Sequence, residues 1–367
     1  MDPVASPRAN VAARLAERAA LHPERTAIVE YADGRARRVT FGELAERVAL
    51  LGAGMRRAGV GPGARALIFV PMSIDLYVAL LAVLHAGGTA VFVDAWAGRG
   101  RLDAAVAAAR PTLFIGPPRA HLLRLLSPAV RRIPVKWIAG RRRLRIDRYA
   151  RAAPVTAADV SPDHPALITF TTGSTGAPKG ALRTHDFLWA QHRALATHLG
   201  LTEADVDMPT LPVFVLNNLA TGTPSVIPDF DPRRPAEIDP AAIHAQMVAE
   251  GVTTSSGSPA FYERLALWCR ARGVRLPLRA LFTGGAPVYP PLAALLAETV
   301  EGSAHVVYGS TEAEPISGID VREMLAAVRA GGEGICVGPP VPQVEVRIVR
   351  PHDGPLVLGP RGWEEWE

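Results

Sequence analysis

The residues best suited to chemistry lie in one short run, "FTTGSTGAPKG", at positions 170–180. Three glycines, four hydroxyl side chains and one lysine fall within its eleven residues. Glycines let a backbone close on phosphate oxygens, hydroxyls donate to them, and a lysine neutralises their charge. The lysine is informative because this chain otherwise uses arginine. Of 40 cations only Lys136 and Lys179 are lysines. Lysine is a compact point charge, well suited to a phosphate held in a tight loop.

Known phosphate and catalytic motifs narrow the reading. The GxxxxGK[ST] pattern fails, because Pro178 precedes Lys179 and Gly180 follows it. There is no GxSxG, which argues against an α/β-hydrolase, and no GxGxxG after the first strands, which leaves a dinucleotide site without support. HExxH is absent, and the ten histidines show no metal-ligand spacing. His185, His192 and His198 share one helical stretch and are expected to face solvent or to cap.

The elements that must position the loop follow an alternating pattern. Apolar runs at 66–70, 90–94, 112–116, 166–170, 252–256, 279–285 and 304–309 read as strands, separated by amphipathic stretches that read as helices. Such alternation predicts parallel, doubly wound sheets. The loop is expected between the strand "ALITF" (166–170) and the helix of "DFLWAQHRALATHL" (186–199), where amides at a helix start would face an anion. Thr40 and Glu43 form a capping box that opens a helix over 41–58. Three parts are expected: 1–155, an α/β subdomain with a basic connector; 156–330, a second α/β subdomain carrying the loop; and 331–367, the start of a β-rich subdomain in which "VEVRIV" (344–349) alternates.

Composition sets the outer limits. With 367 residues, 49% of them hydrophobic, the chain can bury a large core. Cys269 and Cys336 are isolated from one another, which suggests a reducing, cytoplasmic setting. The N-terminal stretch has no apolar signal region, and "DLYVALLAVLHAGG" (75–88) is too short to span a bilayer. Net charge is +5, with nine cations against one aspartate over 131–151. That segment reads as a solvated connector, or as a docking surface for a pathway enzyme, another acidic partner or an anionic membrane. No motif for nucleic acid accompanies it.

"FTTGSTGAPKG" resembles the phosphate-binding signature of the adenylate-forming superfamily: acyl-CoA synthetases, nonribosomal adenylation domains and luciferases. It departs from the family pattern only by hydroxyl-for-hydroxyl changes at Thr172 and Ser174. Downstream, "FTGGAP" (282–287) resembles the segment lining the adenine and acyl pocket, and "VYGSTEAE" (307–314) resembles the aromatic-Gly-x-Thr-Glu motif. The resemblance implies the fold of the large N-terminal domain: two doubly wound αβαβα-type subdomains and the start of a β-rich one, with the small C-terminal domain absent after "RGWEEWE". It implies ATP and Mg²⁺ as cofactors. Thr171, Thr172, Gly173, Ser174, Thr175, Gly176 and Lys179 would cradle the phosphates. Tyr308 would stack on adenine opposite Gly284, Gly285 and Ala286. Thr311 would touch the α-phosphate, and Glu312 would hold the metal.

Within the superfamily, "TLPVFVLNNLATG" and "YGSTEAEPIS" resemble the β-lactone synthetases of bacterial olefin biosynthesis. The implied reaction adenylates a long-chain 2-alkyl-3-hydroxy acid, whose own hydroxyl then closes a lactone and releases AMP. Phe214, Val215, Asn217, Asn218 and Gly309 would then line the substrate pocket, with Val215 where family members often have histidine. The asparagine pair would orient the substrate hydroxyl or serve a turn. An acyl-CoA or acyl-AMP ligase, and a non-catalytic nucleotide-binding or docking fragment, remain alternatives.

Overall fold

The computed structural model describes residues 9–93, 98–139, 146–149, 153–171, 179–331 and 334–350, with positions 354, 359 and 362. In chain order the first strands are β1 (Thr26–Ala32), β2 (Arg35–Thr40), β3 (Arg65–Ile68), β4 (Thr89–Val93), β5 (Leu113–Gly116) and β6 (Val135–Ile138). Then come β7 (Pro165–Thr171), β8 (Lys179–Thr184), β9 (Asp207–Pro209) and β10 (Ser225–Ile227). The last four are β11 (Thr254–Gly257), β12 (Ala280–Gly284), β13 (Ser303–Ser310) and β14 (Ala313–Asp320).

These strands form two parallel-rich sheets packed with helices, the expected α/β class. One has six strands in the order β6-β5-β3-β4-β7-β8, and the other has eight in the order β14-β13-β12-β11-β9-β10-β1-β2. Sheet membership crosses the sequence division at 155 in both directions. The β1–β2 hairpin joins the later strands, and β7 and β8 join the earlier ones. Apolar periodicity identifies strands but says nothing about which neighbour each will choose.

Of the seven strands with no counterpart in the apolar runs (β1, β2, β6, β8, β9, β10 and β14), three share one feature: β2, β8 and β14. Each is an antiparallel return at a sheet edge, paired with β1, β7 and β13 respectively. β2 and β8 are exposed along most of their length, so a polar sequence such as "RARRVT" suits them. A local signal for the first was present. Asp33 and Gly34 take φ of 51° and 70°, as a two-residue type I′ hairpin turn requires. By contrast, the alternation at 344–349 forms no ladder among the described residues, where only isolated bridges such as Ser317↔Pro340 occur. A period of two specifies the faces of a strand, not the presence of a partner.

The two sheets share a helix, Ile74–His85, with all twelve residues buried. It packs with Ile28 of β1, Ala66 and Ile68 of β3, and Ala90 of β4, as a helix apolar on every side must. Its polar groups are answered locally. Arg47 donates to Asp75 at 3.1 Å, and buried Glu30 accepts from Arg37 at 2.8 Å and from the Ile74 amide at 3.0 Å. Burial, with Arg56 nearby, lowers the His85 pKa to about 4, so that imidazole is neutral. The capping-box helix, Phe41–Arg57, crosses closely here, since a Cβ at Gly52 would stand 2.6 Å from His85 Nδ1. No helix among the described residues is long and apolar enough to cross a membrane.

A second buried carboxylate sits in the middle of the eight-stranded sheet. Asp207 accepts from Asn218 at 2.8 Å and from Thr254 at 2.9 Å, yet burial pushes its pKa up from 3.8 to about 6. A raised native pKa means stability that is present below the unfolded value and lost as pH rises through the folded one. Urea unfolding should therefore show Asp207→Asn gaining about 2 kcal/mol on the wild type between about pH 4 and about pH 7. A difference that stays flat across that window would show that Asp207 ionises in the ordinary range.

Candidate active site

The glycine-rich run connects two antiparallel strands, with Thr171 paired to Lys179 at the end of the β7–β8 ladder. This corrects the expected strand-to-helix position. The helix begins six residues later, at His185, where the Thr184 hydroxyl accepts from the Phe187 amide at 3.1 Å. "KGALRT" has too few apolar residues to announce a strand, and the edge position explains why. Lys179 is exposed at the start of β8. Thr172, Gly173, Ser174, Thr175 and Gly176 lie outside the described residues, as does the Thr171 side chain.

A second antiparallel pair, β13–β14, closes in a turn that Arg183 of β8 contacts. β13 and β14 are joined through Thr311 and Glu312, so "YGSTEAE" is a strand, a turn and a return strand. Tyr308 is 49% exposed, leaving a large aromatic face on the surface beside the turn. Gly309 is closely overlain, since a Cβ there would stand 3.0 Å from the Ala313 carbonyl oxygen. Gly284, at the end of β12, has the same constraint: its Cβ would fall 2.2 Å from the Val307 carbonyl oxygen. Gly285 follows with φ of 80°, a left-handed conformation that favours glycine. Ala286 and Glu312 are exposed.

The two hairpins are clasped by Arg183 of β8, a residue not singled out from the sequence. Its Nη2 and Nε donate to the Thr311 carbonyl at 2.6 and 3.2 Å, and its Nη1 reaches the Thr169 hydroxyl at 3.5 Å. Burial lowers the Arg183 pKa, opposed by Glu314 and Glu312. Glu314 is also mostly shielded, and burial raises its pKa, opposed by Arg183. The two desolvated charges thus compensate each other beside the turn. The signal for Arg183 was weak: one arginine among 38 in the chain.

Between the sheets opens a cavity of about 540 Å³. Leu76, Leu80, Phe92, Leu188, Phe214 and Leu216 give it an apolar wall, while Gly284, Gly285, Gly309, Thr311, Arg183 and Glu314 close one end. The Gln191 amide nitrogen and the Thr283 hydroxyl, both on this wall, are buried without a hydrogen-bond partner among the described residues. The cavity has the shape of a chemical division: an apolar chain can lie in one part, and a polar head can meet donors in the other.

The expected substrate residues separate. Phe214 and Gly309 line the cavity. Val215 is wholly buried in the core, so the position of the family's histidine faces packing rather than the cavity. Asn217 Oδ1 accepts from His192 Nδ1 at 2.8 Å beside a smaller apolar pocket. Asn218 donates to Asp207 and to Ser225 at 2.8 and 3.1 Å within the sheet core. Both asparagines lie inside the helix Pro212–Thr221, so they serve no turn. Nor do the three histidines face solvent. His185 is fully buried, accepts from the Val11 amide at 3.2 Å and has its pKa lowered to about 4 by burial. His192 and His198 are lowered in the same direction, chiefly by burial.

Glu312 is an exposed carboxylate in the β13–β14 turn. No group of three metal-ligating side chains occurs among the described residues.

Comparison with known proteins agrees with this geometry. The profile of the family described as AMP-binding enzyme matches residues 15–362. An olefin beta-lactone synthetase of Stenotrophomonas maltophilia is 34% identical over 371 residues, covering 95% of this chain and 66% of that protein. One from Xanthomonas campestris pv. campestris is 35% identical over 330 residues, covering 87% of this chain and 59% of that protein. The chain thus spans 66% and 59% of the lengths of these two relatives. ATP-bound MatB from Rhodopseudomonas palustris has the same fold, with a TM-score of 0.77 at 23% identity, over 96% of this chain and 68% of that one.

The clasp makes a direct prediction. Arg183→Ala removes both donors to Thr311 and leaves Glu314 without its compensating charge. It should cost about 2–3 kcal/mol in urea unfolding. Arg183→Lys should recover little, because an ammonium cannot reproduce the two-pronged grip. Full stability in the lysine variant would show that charge alone, without the fork geometry, holds the turns together.

Proposed function

The chain belongs to the AMP-binding enzyme family, and on that premise we propose that it activates a carboxylic acid with ATP, forming an acyl-adenylate and releasing pyrophosphate. The observation that carries the reading is the cavity, apolar along its length and closed by Thr311 and the Arg183–Glu314 pair. A long acyl chain fills the apolar part and its carboxylate emerges at the turn. There the carboxylate oxygen attacks the α-phosphorus of ATP, and the bond to the pyrophosphate oxygen breaks. Repulsion between anions makes positioning and fixed donors the main catalytic needs.

The residues divide that work. The segment from Thr171 to Lys179, with Thr172, Gly173, Ser174, Thr175 and Gly176, holds the phosphates. Tyr308 and the Gly284–Ala286 segment hold adenine, and Thr311 donates to the α-phosphate. Arg183 acts through Thr311: by gripping its carbonyl, it keeps the hydroxyl-bearing turn in register with β8. Glu312 would hold Mg²⁺, which supplies charge neutralisation on the phosphates when bound.

We further propose that the acid is a long-chain 2-alkyl-3-hydroxy acid and that the second step is internal. Its 3-hydroxyl oxygen attacks the acyl carbon, the bond to AMP breaks, AMP leaves, and the hydroxyl proton passes to solvent. The tethered nucleophile gains effective molarity, which offsets part of the ring strain. The apolar wall limits competing hydrolysis by water. The likeness to two proteins named olefin beta-lactone synthetase supports this step. ATP as the nucleotide is supported by family membership and by the ATP-bound state of MatB.

Two experiments test these steps separately. Lys179→Ala should weaken ATP·Mg²⁺ binding by about 1–3 kcal/mol in calorimetry; an unchanged affinity would remove this segment from the nucleotide site. For the product, the complete native polypeptide with ATP, Mg²⁺ and a 2-alkyl-3-hydroxy acid should yield a compound one water lighter, plus AMP, without CoA. The acid lacking the 3-hydroxyl should stop at the adenylate. A CoA thioester as the main product when CoA is supplied would replace the lactone reading with an acyl-CoA ligase.

A further inference from the structure

One surface of the six-stranded sheet combines features that the active site does not use. Between Asp103 and Asp147 the sequence has ten cations and no carboxylate. The middle of this stretch is two short helices, Leu123–Leu126 and Pro128–Arg132, which lead into the edge strand β6. Their nearest acid in the chain, Asp103, is engaged by the Ser127 hydroxyl, itself the N-cap of the second helix. Arg119, Arg124, Arg131 and Arg132 are all exposed around them.

The same turn projects leucines into solvent. Leu122, Leu125 and Leu126 are 59%, 79% and 53% exposed, whereas Leu123 packs inward against the core beneath. A four-residue helix needs only its inward leucine for anchoring. The other three raise the apolar surface at one spot without contributing to the core. Scattered exposed leucines are ordinary, but three within five residues, flanked by exposed arginines, form a defined patch.

We propose that the Leu122–Leu126 turn and its surrounding arginines dock this protein on an anionic lipid bilayer. Leucine tips enter the headgroup–acyl boundary, while arginine stems lie along it with their guanidinium groups on lipid phosphates. Charge complementarity selects the occupant, since a turn flanked by the exposed Arg119, Arg124, Arg131 and Arg132 gains most from a polyanionic plane. The leucines favour a bilayer over an acidic protein face, because all three project into solvent and gain most from a deformable apolar medium. The proposal stands on this surface alone and does not depend on the identity of the acyl substrate.

Vesicle flotation of the complete native polypeptide tests it. Binding is expected to phosphatidylcholine–phosphatidylglycerol vesicles and not to phosphatidylcholine alone. The triple variant Leu122→Ser, Leu125→Ser, Leu126→Ser should weaken it roughly tenfold or more. Arg124→Glu, Arg131→Glu, Arg132→Glu should weaken it on the order of a hundredfold. Circular dichroism checks that both variants remain folded. Independently, a polarity-sensitive dye on Leu125→Cys, in a Cys336→Ser background because Cys336 is exposed, should shift to the blue with anionic vesicles. No wild-type binding to anionic vesicles, or an unshifted dye, overturns the proposal. Loss of binding in the arginine variant with none in the leucine variant also overturns it, and assigns the surface to an acidic macromolecule instead.

Discussion

A helix without a solvent-facing side holds this molecule together. Ile74–His85 is buried along its whole length and touches strands of both sheets. Because water reaches none of it, every charged group near its ends must find a partner inside or surrender its charge. Glu30 and Asp75 take the first course with Arg37 and Arg47. His85 takes the second, held neutral by burial. The same helix supplies Leu76 and Leu80 to the cavity wall. The element that joins the sheets therefore also shapes the space between them, and the cavity's dimensions are tied to the stability of the core.

Around that frame, the chemistry sits where parallel sheets end in antiparallel returns. β7–β8 and β13–β14 are antiparallel pairs at sheet edges, joined through the glycine-rich run and through Thr311–Glu312 respectively. A turn such as Thr311–Glu312 is free of the ladder that confines its strands, so its backbone can face a ligand. What it lacks is a fixed position relative to another sheet. Arg183 provides that by crossing from β8 to the Thr311 carbonyl. The guanidinium is held by its bonds to the Thr311 carbonyl and the Thr169 hydroxyl, while Glu314 and Glu312 oppose the effect of burial on its charge.

The six-stranded sheet has different surroundings at its two edges. β8 carries Arg183 on the cavity wall, while β6 is preceded by a turn of exposed leucines and arginines. Positive charge thus serves two settings. At β8 it is partly buried and acts at single bonding distance. At β6 it is solvated, spread over several side chains and subject to screening by salt.

Much of this was legible from the residues alone. Alternating apolar runs predicted most of the parallel strands, Thr40 and Glu43 predicted the start of a helix, and the three motifs identified the family. These features are local: each depends on a spacing of a few residues that the backbone geometry translates directly. Tertiary structure decided the rest. Which sheet β1 and β7 would join, that "KGALRT" is a strand and not a helix approach, and that Asn218 braces Asp207 rather than facing the cavity all depend on neighbours distant in the chain. So does the role of Arg183, which reaches a carbonyl 128 residues away. A sequence records the capacity of an arginine to bond and of a leucine to be buried. Only packing chooses the partner, because desolvation and hydrogen-bond geometry act on what the fold brings within a few ångströms.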